Sequence, residues 1–163
     1  MEEIGVSGGR RDLIRQATEA LALKEIILYQ SRFVRPVAVP EQAEVAAAQQ
    51  GKTSVRVERL DPLEVNDDTP PLMRCYVHLG TRLVATNDGD EEKEAEVYIE
   101  IEGEFRVTYE VSNDTISEGA LKAFAEFNVI HNVWPFWRQH VFDLVQRGDL
   151  PKLEVPLFAG IKL

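Results

Sequence analysis

A single cysteine, Cys75, excludes an internal disulfide and any cysteine metal cluster within one chain. The three histidines, His78, His131 and His140, share no metal-ligand spacing, and no HExxH pair exists. No apolar run approaches the ~20 residues that cross a bilayer, so no membrane insertion is expected. Cations are scarce as well. Eighteen Lys and Arg stand against 28 Asp and Glu, a formal net charge of −10. That balance argues against nucleic acid, because phosphate binding is driven by Lys and Arg displacing counterions. It suits a soluble protein that avoids self-association or draws basic partners. The opening MEEIGVSGG has no signal-peptide character, so the expected compartment is the cytoplasm.

Catalytic constellations are missing too. No GxSxG nucleophile turn is present. Gly51–Lys52–Thr53 looks like the end of a phosphate loop, but the glycine required five residues earlier is Ala46, and a strand follows where a helix should. Asp88–Gly89–Asp90–Glu91–Glu92 lacks the ligand spacing of a calcium loop. Glu100, Glu102 and Glu104 read as one solvated strand face. Arg147–Gly148–Asp149 reads as a helix stop, and Cys75 as a small buried thiol. No enzyme, metal or cofactor is expected.

What is present is a core. At 44% hydrophobic and 28% charged, 163 residues make one globular domain spanning 1–163. Arg10–Lys24 has helical periodicity. Glu25–Pro36 is rich in β-branched and aromatic residues and predicts a first strand. The soft connection to Lys52 has room for a helical piece at Glu41–Gln50, between Pro40 and Gly51. Thr53–Leu60, Leu72–Thr86 and Glu94–Val111 are the next strands, with a hairpin turn at Asn87–Asp90. In the last, Val97, Ile99, Ile101, Phe105, Val107, Tyr109 and Val111 alternate with Glu100, Glu102, Glu104, Arg106, Thr108 and Glu110. That pattern means one covered face and one polar face. Thr115 and Glu118 form a capping box that opens a helix running to Gly148. Pro135 should kink or restart it, and Gly148 should be its left-handed cap. Residues 149–163 make an extended tail. Strands first and helices last give α+β, a four-stranded antiparallel sheet with helices on one face.

The cluster Val133–Trp134–Pro135–Phe136–Trp137 and the connection Val37–Ala48 exceed what one domain needs. Such surplus suggests either a protein-binding surface or a homo-oligomer interface. At Val133–Gln139, Leu144–Gly148 and Leu150–Pro156 the chain resembles SecB, the tetrameric bacterial chaperone. That family has an aromatic–Pro–aromatic segment, a helix ending in Arg–Gly, and an extended tail with a matching proline and leucines. The strand Val97–Val111, with Gly103, is similar too, and the resemblance covers roughly residues 25–158.

The resemblance implies a dimer of dimers, a homotetramer that binds unfolded polypeptides without ATP in long apolar grooves. Client contacts would fall on Val37, Val39, Val45, Val55, Val57, Leu121, Phe124 and Phe127. Subunit contacts would fall on Val133, Trp134, Trp137 and Val141. Replacing Phe124 and Phe127 by Asp should then weaken client binding more than folding. Clients would be preproteins or an antitoxin. Three departures bear on that choice. The sequence stops at Leu163, soon after the tail, without the family's C-terminal helix and acidic end. Gln30–Arg35 carries no acid, and Tyr98 stands where a motor-docking glutamate is expected. The added helix at Arg10–Lys24 resembles that of relatives that accompany toxin–antitoxin pairs. Export, with its motor protein, is therefore less favoured than guarding a dedicated client. An adaptor binding one folded partner is the alternative of a different class.

Overall fold

A computed structural model describes residues 6–39, 47–60, 70–86, 94–112 and 115–157. Its frame is a four-stranded antiparallel sheet: β1 (Leu21–Val34), β2 (Ala47–Leu60), β3 (Leu72–Ala85) and β4 (Val97–Val111), in the order β1-β4-β3-β2. Period-two alternation sets its faces. In β3 and β4 the odd-numbered residues from Met73 to Leu83 and from Ile99 to Val111 are buried on one side. Register follows the same rule, with Cys75 opposite Val107, Val77 opposite Phe105 and Leu79 opposite Gly103. Helices close the inner face: α1 (Val6–Ala20), α2 (Glu118–Phe124), a π-helical turn (Ala125–Val129) and α3 (Ile130–Gly148). The expected fold class, α+β with helices against one face of an antiparallel sheet, is the one observed.

Several boundaries differ from the sequence reading. The first helix ends at Ala20, and β1 begins at Leu21, four residues before Glu25. Leu21 and Leu23 pair with Val111 and Tyr109, and Ser112 takes the Ala20 carbonyl through both its N–H (2.8 Å) and its hydroxyl (3.1 Å). A helix end satisfied in this way needs no loop before the strand. Residues 47–50 are strand, not the end of a helical piece. Ala47 to Gln50 pair with Ala85 to Arg82, and that ladder overrides their local helical preference. β4 starts at Val97 rather than Glu94, with a register shift beside Leu83 and Val84. Residues 41–46 and the turn at 87–90 lie outside the described residues.

The cap of α2 is Ser117, whose hydroxyl accepts from the Ala120 N–H at 3.1 Å, so Thr115 and Glu118 do not form the capping box. Nor does Pro135 end a helix, since α3 continues through it. Val133, Trp137 and Val141, four residues apart, are all buried against the sheet. Packing of that stripe holds the helix across the missing N–H. The irregular turn is instead Ala125–Val129, where π geometry replaces α. At the other end Asp149, not Gly148, is left-handed (φ 47°, ψ 52°). The Leu150 N–H reaches the Val145 carbonyl at 3.1 Å, and the Asp149 N–H reaches that of Gln146 at 3.5 Å, which is a Schellman stop. Gly148 matters for space: a Cβ there would stand 3.0 Å from Leu150 Cγ.

The core gathers Met73, Cys75, Val77, Ile99, Ile101, Val107 and Tyr109 under Val129, Val133, Trp137 and Val141. Burial pushes the Cys75 thiol up to about 12, as befits a packing residue. Trp137 packs against Gly103, where a Cβ would meet its ring and that of Phe105 at 3.3 Å. Gly103→Val is therefore expected to destabilise the fold by about 1–3 kcal/mol through overpacking, measured by urea denaturation.

Candidate functional site

The long helix α3 sits over the two central strands. The inner faces of the edge strands are only partly covered. On β1, Leu23, Leu28 and Phe33 are exposed although their register partners Tyr109, Phe105 and Ile101 are buried. On β2, Val57 is 41% exposed and Val55 half-buried. Beside them, Leu121 and Ala125 of the α2 region complete an open groove of about 400 Å³, rimmed by Glu118, Lys122 and Glu126. Glu126 also faces Arg10 of α1 at 3.5 Å. The groove can take apolar side chains, and its rim carries one more acid than base.

The neighbouring part of the same trough is filled by the chain itself. After the Schellman stop, residues 150–157 turn back along α3 without regular structure. Leu150 and Leu153 are buried, and Val155 packs on the core. The Gln49 side chain donates to the Glu154 carbonyl (2.7 Å) and accepts from the Glu154 N–H (3.0 Å). Arg138 Nε donates to the Val155 carbonyl (3.0 Å), and Trp134 Nε1 donates to that of Pro156 (2.7 Å). Every one of these bonds ends on a main-chain atom. A segment without regular structure is thus held by its backbone while Leu150 and Leu153 are buried, a mode of contact that asks little of sequence.

The residues expected to bind clients therefore divide. Val55, Val57 and Leu121 come together in the open groove. Val37 and Val39 line a separate hollow of about 350 Å³ with Arg35, Asp149 and Pro151, at the C-terminal end of α3. Arg35 reaches the Gly148 carbonyl there. Phe127 is 36% exposed and stacks on His131, while Val45 lies outside the described residues. Phe124 belongs to the core instead. It is 4% exposed and meets the Tyr109 ring edge-on at 5.2 Å, because α2 turns that residue to the sheet. Asp at Phe124 would break the fold rather than report on a surface.

Among the residues expected between subunits, Val133, Trp137 and Val141 are sealed in the chain's own core and Trp134 is half-buried. The exposed aromatics of α3 are Phe136 and Phe142. Sequence reasoning passed over Gln49, Arg138 and the tail carbonyls, since a backbone-directed contact leaves no pattern in residue type. His140 sits between Phe105 and Trp137, with Ser31 at 2.9 Å. Burial lowers its pKa, and Asp143 acts in the opposite direction.

The outer face is polar but internally balanced. Glu102 has Lys52, Arg32 (3.6 Å) and His78 (3.6 Å) around it. Glu100 pairs with Arg32 at 2.5 Å, and Glu25 with Arg106 at 3.0 Å. Arg56 lies 4.1 Å over the Tyr76 ring, which meets Tyr29 edge-on. These carboxylates answer cations rather than forming an acid–base pair. Gly51, Lys52 and Thr53 are strand residues, which settles the phosphate-loop likeness. Among the described residues, no group of three or more His, Cys, Asp or Glu is placed to hold a metal. No helix there is long and apolar enough to cross a membrane.

A four-stranded sheet in this order, with a long helix and an added N-terminal helix, is the SecB-like fold. Among solved structures it is similar to the Mycobacterium tuberculosis SecB-like chaperone Rv1957, determined in complex with a ChAD peptide from the Rv1956 HigA1 antitoxin. Identity is 16%, 91% of this chain and 97% of that one are covered, and the TM-score is 0.71. A Streptococcus agalactiae protein of unknown function is 10% identical, with 83% and 96% covered, but its TM-score of 0.38 is too low to bear on function. No protein-family profile and no curated protein matches the sequence.

Two phenylalanines three residues apart should separate core from surface. Phe124→Ala is expected to cost about 3–5 kcal/mol and Phe127→Ala about 1 kcal/mol or less, compared by urea denaturation.

Proposed function

We propose that this protein is an ATP-independent holdase that keeps non-native polypeptides from aggregation and proteolysis. The carrying observation is the trough between α2–α3 and β2. One half already holds a segment without regular structure by its backbone, and the other half is apolar and open. A non-native chain presents what the trough accepts: apolar side chains and unpaired amides. The tertiary likeness to a chaperone solved with an antitoxin peptide supports the same reading.

A dedicated client, such as an antitoxin, fits better than general export. An export chaperone must also present free acids to a motor, and here the Glu100–Glu102 region is answered by Arg32 and Lys52. The active form is a homotetramer built as a dimer of dimers in the cytoplasm. Exposed Phe136 and Phe142, together with the uncovered apolar residues of edge strand β1, support assembly.

Binding of a permanently unfolded protein, reduced and carboxymethylated lactalbumin, followed by fluorescence anisotropy, tests the function. Val57→Asp is expected to weaken it by ~10-fold or more, about 1.4 kcal/mol or above. The same change should alter folding stability by about 1 kcal/mol or less, because the site is half open. Equal binding by wild type and Val57→Asp would exclude this groove. Protection from hydrogen exchange on one compact patch, with a folded partner only, would favour an adaptor.

Assembly is read by light scattering. A mass of four chains is expected at micromolar concentration, and a monomer at high concentration would refute it.

A further inference from the structure

A net charge of −10 conceals a local exception. On the outer face of the sheet the acids Glu25, Glu100, Glu102 and Glu110 are answered by cations. Arg56 and Arg74 stand on that face too, and among the described residues neither joins an ion pair. Glu58, opposite Arg74 in register, accepts from the Tyr76 hydroxyl at 3.3 Å instead.

Tyr76 is the centre of this patch. Its register partners are Arg56 on β2 and Arg106 on β4. The Arg56 guanidinium lies 4.1 Å from the centre of the Tyr76 ring. That ring meets Tyr29 edge-on at 5.6 Å, and Arg106 lies 5.8 Å from the centre of the Tyr29 ring. Tyr29 and Arg56 are exposed. Among the described residues, the Nε–H groups of Arg74 and Arg106 have no acceptor, although both are buried. A buried donor left in this way is costly and calls for an acceptor. A guanidinium stacked on a ring still offers its edge N–H groups, and a carboxylate takes them two at a time.

We propose that this face docks an acidic polypeptide segment of a partner protein. Its carboxylates seat on Arg56 and Arg74, with Arg106 shared between the segment and Glu25. Its aromatic or apolar side chains pack on Tyr29 and Tyr76. Nucleic acid is the poorer match. It brings a charge every ~1.7 Å of duplex toward a chain that is acidic overall, and Glu25, Glu58 and Glu104 stand within the patch itself. A polypeptide can space its acids between those residues and turn apolar groups to the rings. The patch lies on the side of the sheet opposite the trough. It therefore stands whether or not the trough binds clients, and both surfaces can be occupied together.

Titration calorimetry on the whole chain tests the docking face with a synthetic peptide of repeated Glu-Glu-Phe triplets. In an extended chain such a repeat presents acids and rings on each side. Micromolar binding is expected, weakening as salt rises. Arg56→Gln and Arg74→Gln are each expected to weaken it by ~5–10-fold. Arg56→Lys, which keeps the charge but loses the planar fork, is expected to lose ~3-fold. Arg15→Gln removes an equal charge from α1 and should leave binding unchanged. Arg56 is exposed, so its variants decide the matter even where Arg74→Gln disturbs the fold. Absence of binding, equal binding of a Lys-Lys-Phe peptide, or the same loss with Arg15→Gln as with Arg56→Gln overturns the proposal. Tighter binding of single-stranded DNA than of the acidic peptide overturns it as well. So does a fall in assembly mass with Arg56→Gln, which would give the face to a second copy of this chain.

Discussion

One helix cannot roof four strands. An α-helix with its side chains is about 10–12 Å across. Four strands spaced about 4.8 Å apart need roughly 14 Å between the outer axes alone. Here α3 takes the centre. Val133, Trp137 and Val141 seal the faces of β3 and β4, and Gly103 leaves room for the Trp137 ring to approach the sheet closely. The shortfall falls on the edges. Leu23, Leu28 and Phe33 of β1 and Val57 of β2 stay partly wet. Exposed apolar surface of this kind is costly for a monomer to keep, so its retention calls for an occupant. The returning tail is one occupant already seated, with Leu153 and Val155 filling what the helix leaves beside β2.

Most of the sheet was legible in the sequence because alternation in a half-buried strand is a direct image of its environment. The odd positions from Ile99 to Val111 were assigned to the covered face and lie there, and those of β3 from Met73 to Leu83 share it. Errors gathered where tertiary contacts outweigh local signals. Ala47–Gln50 looks helical alone, yet β3 supplies a ladder for it. Phe124 and Phe127 are both phenylalanines on one helical stretch, and residue type alone cannot tell which the sheet takes. The two tryptophans looked like surplus grease, but one became the centrepiece of the core and the other a hydrogen-bond donor to the tail. The glutamine and arginine that grip the tail were invisible, since their partners are carbonyls and amides that every residue possesses.

Charge placement adds a second constraint. A net charge of −10 suggests an acidic surface able to attract a basic docking partner. The outer sheet face does not concentrate that charge. Glu25, Glu100, Glu102 and Glu110 each meet Lys or Arg from a neighbouring strand. Cross-strand pairs of opposite sign steady register. Carboxylates used this way have given up part of their field to the sheet, and a partner seeking them must first compete with resident cations.

The amide of Gln49 shows how the trough holds the tail through its backbone rather than its side chains. One carboxamide donates to the Glu154 carbonyl and accepts from the Glu154 N–H, the same pair of bonds that a neighbouring strand supplies to an extended residue. A folded helix has those groups already bonded to itself, so it gains nothing there. A chain without structure loses water at both groups and recovers both bonds. Arg138 and Trp134 repeat the logic at the next two carbonyls, with donors that cannot accept and therefore cannot mistake an N–H for their target. Three side chains thus hold residues 154–156 through the backbone alone. The adjoining strip of Val55, Val57 and Leu121 is apolar, and burial of apolar area is non-directional, so what such a surface gains from contact depends on area rather than on which apolar residue supplies it.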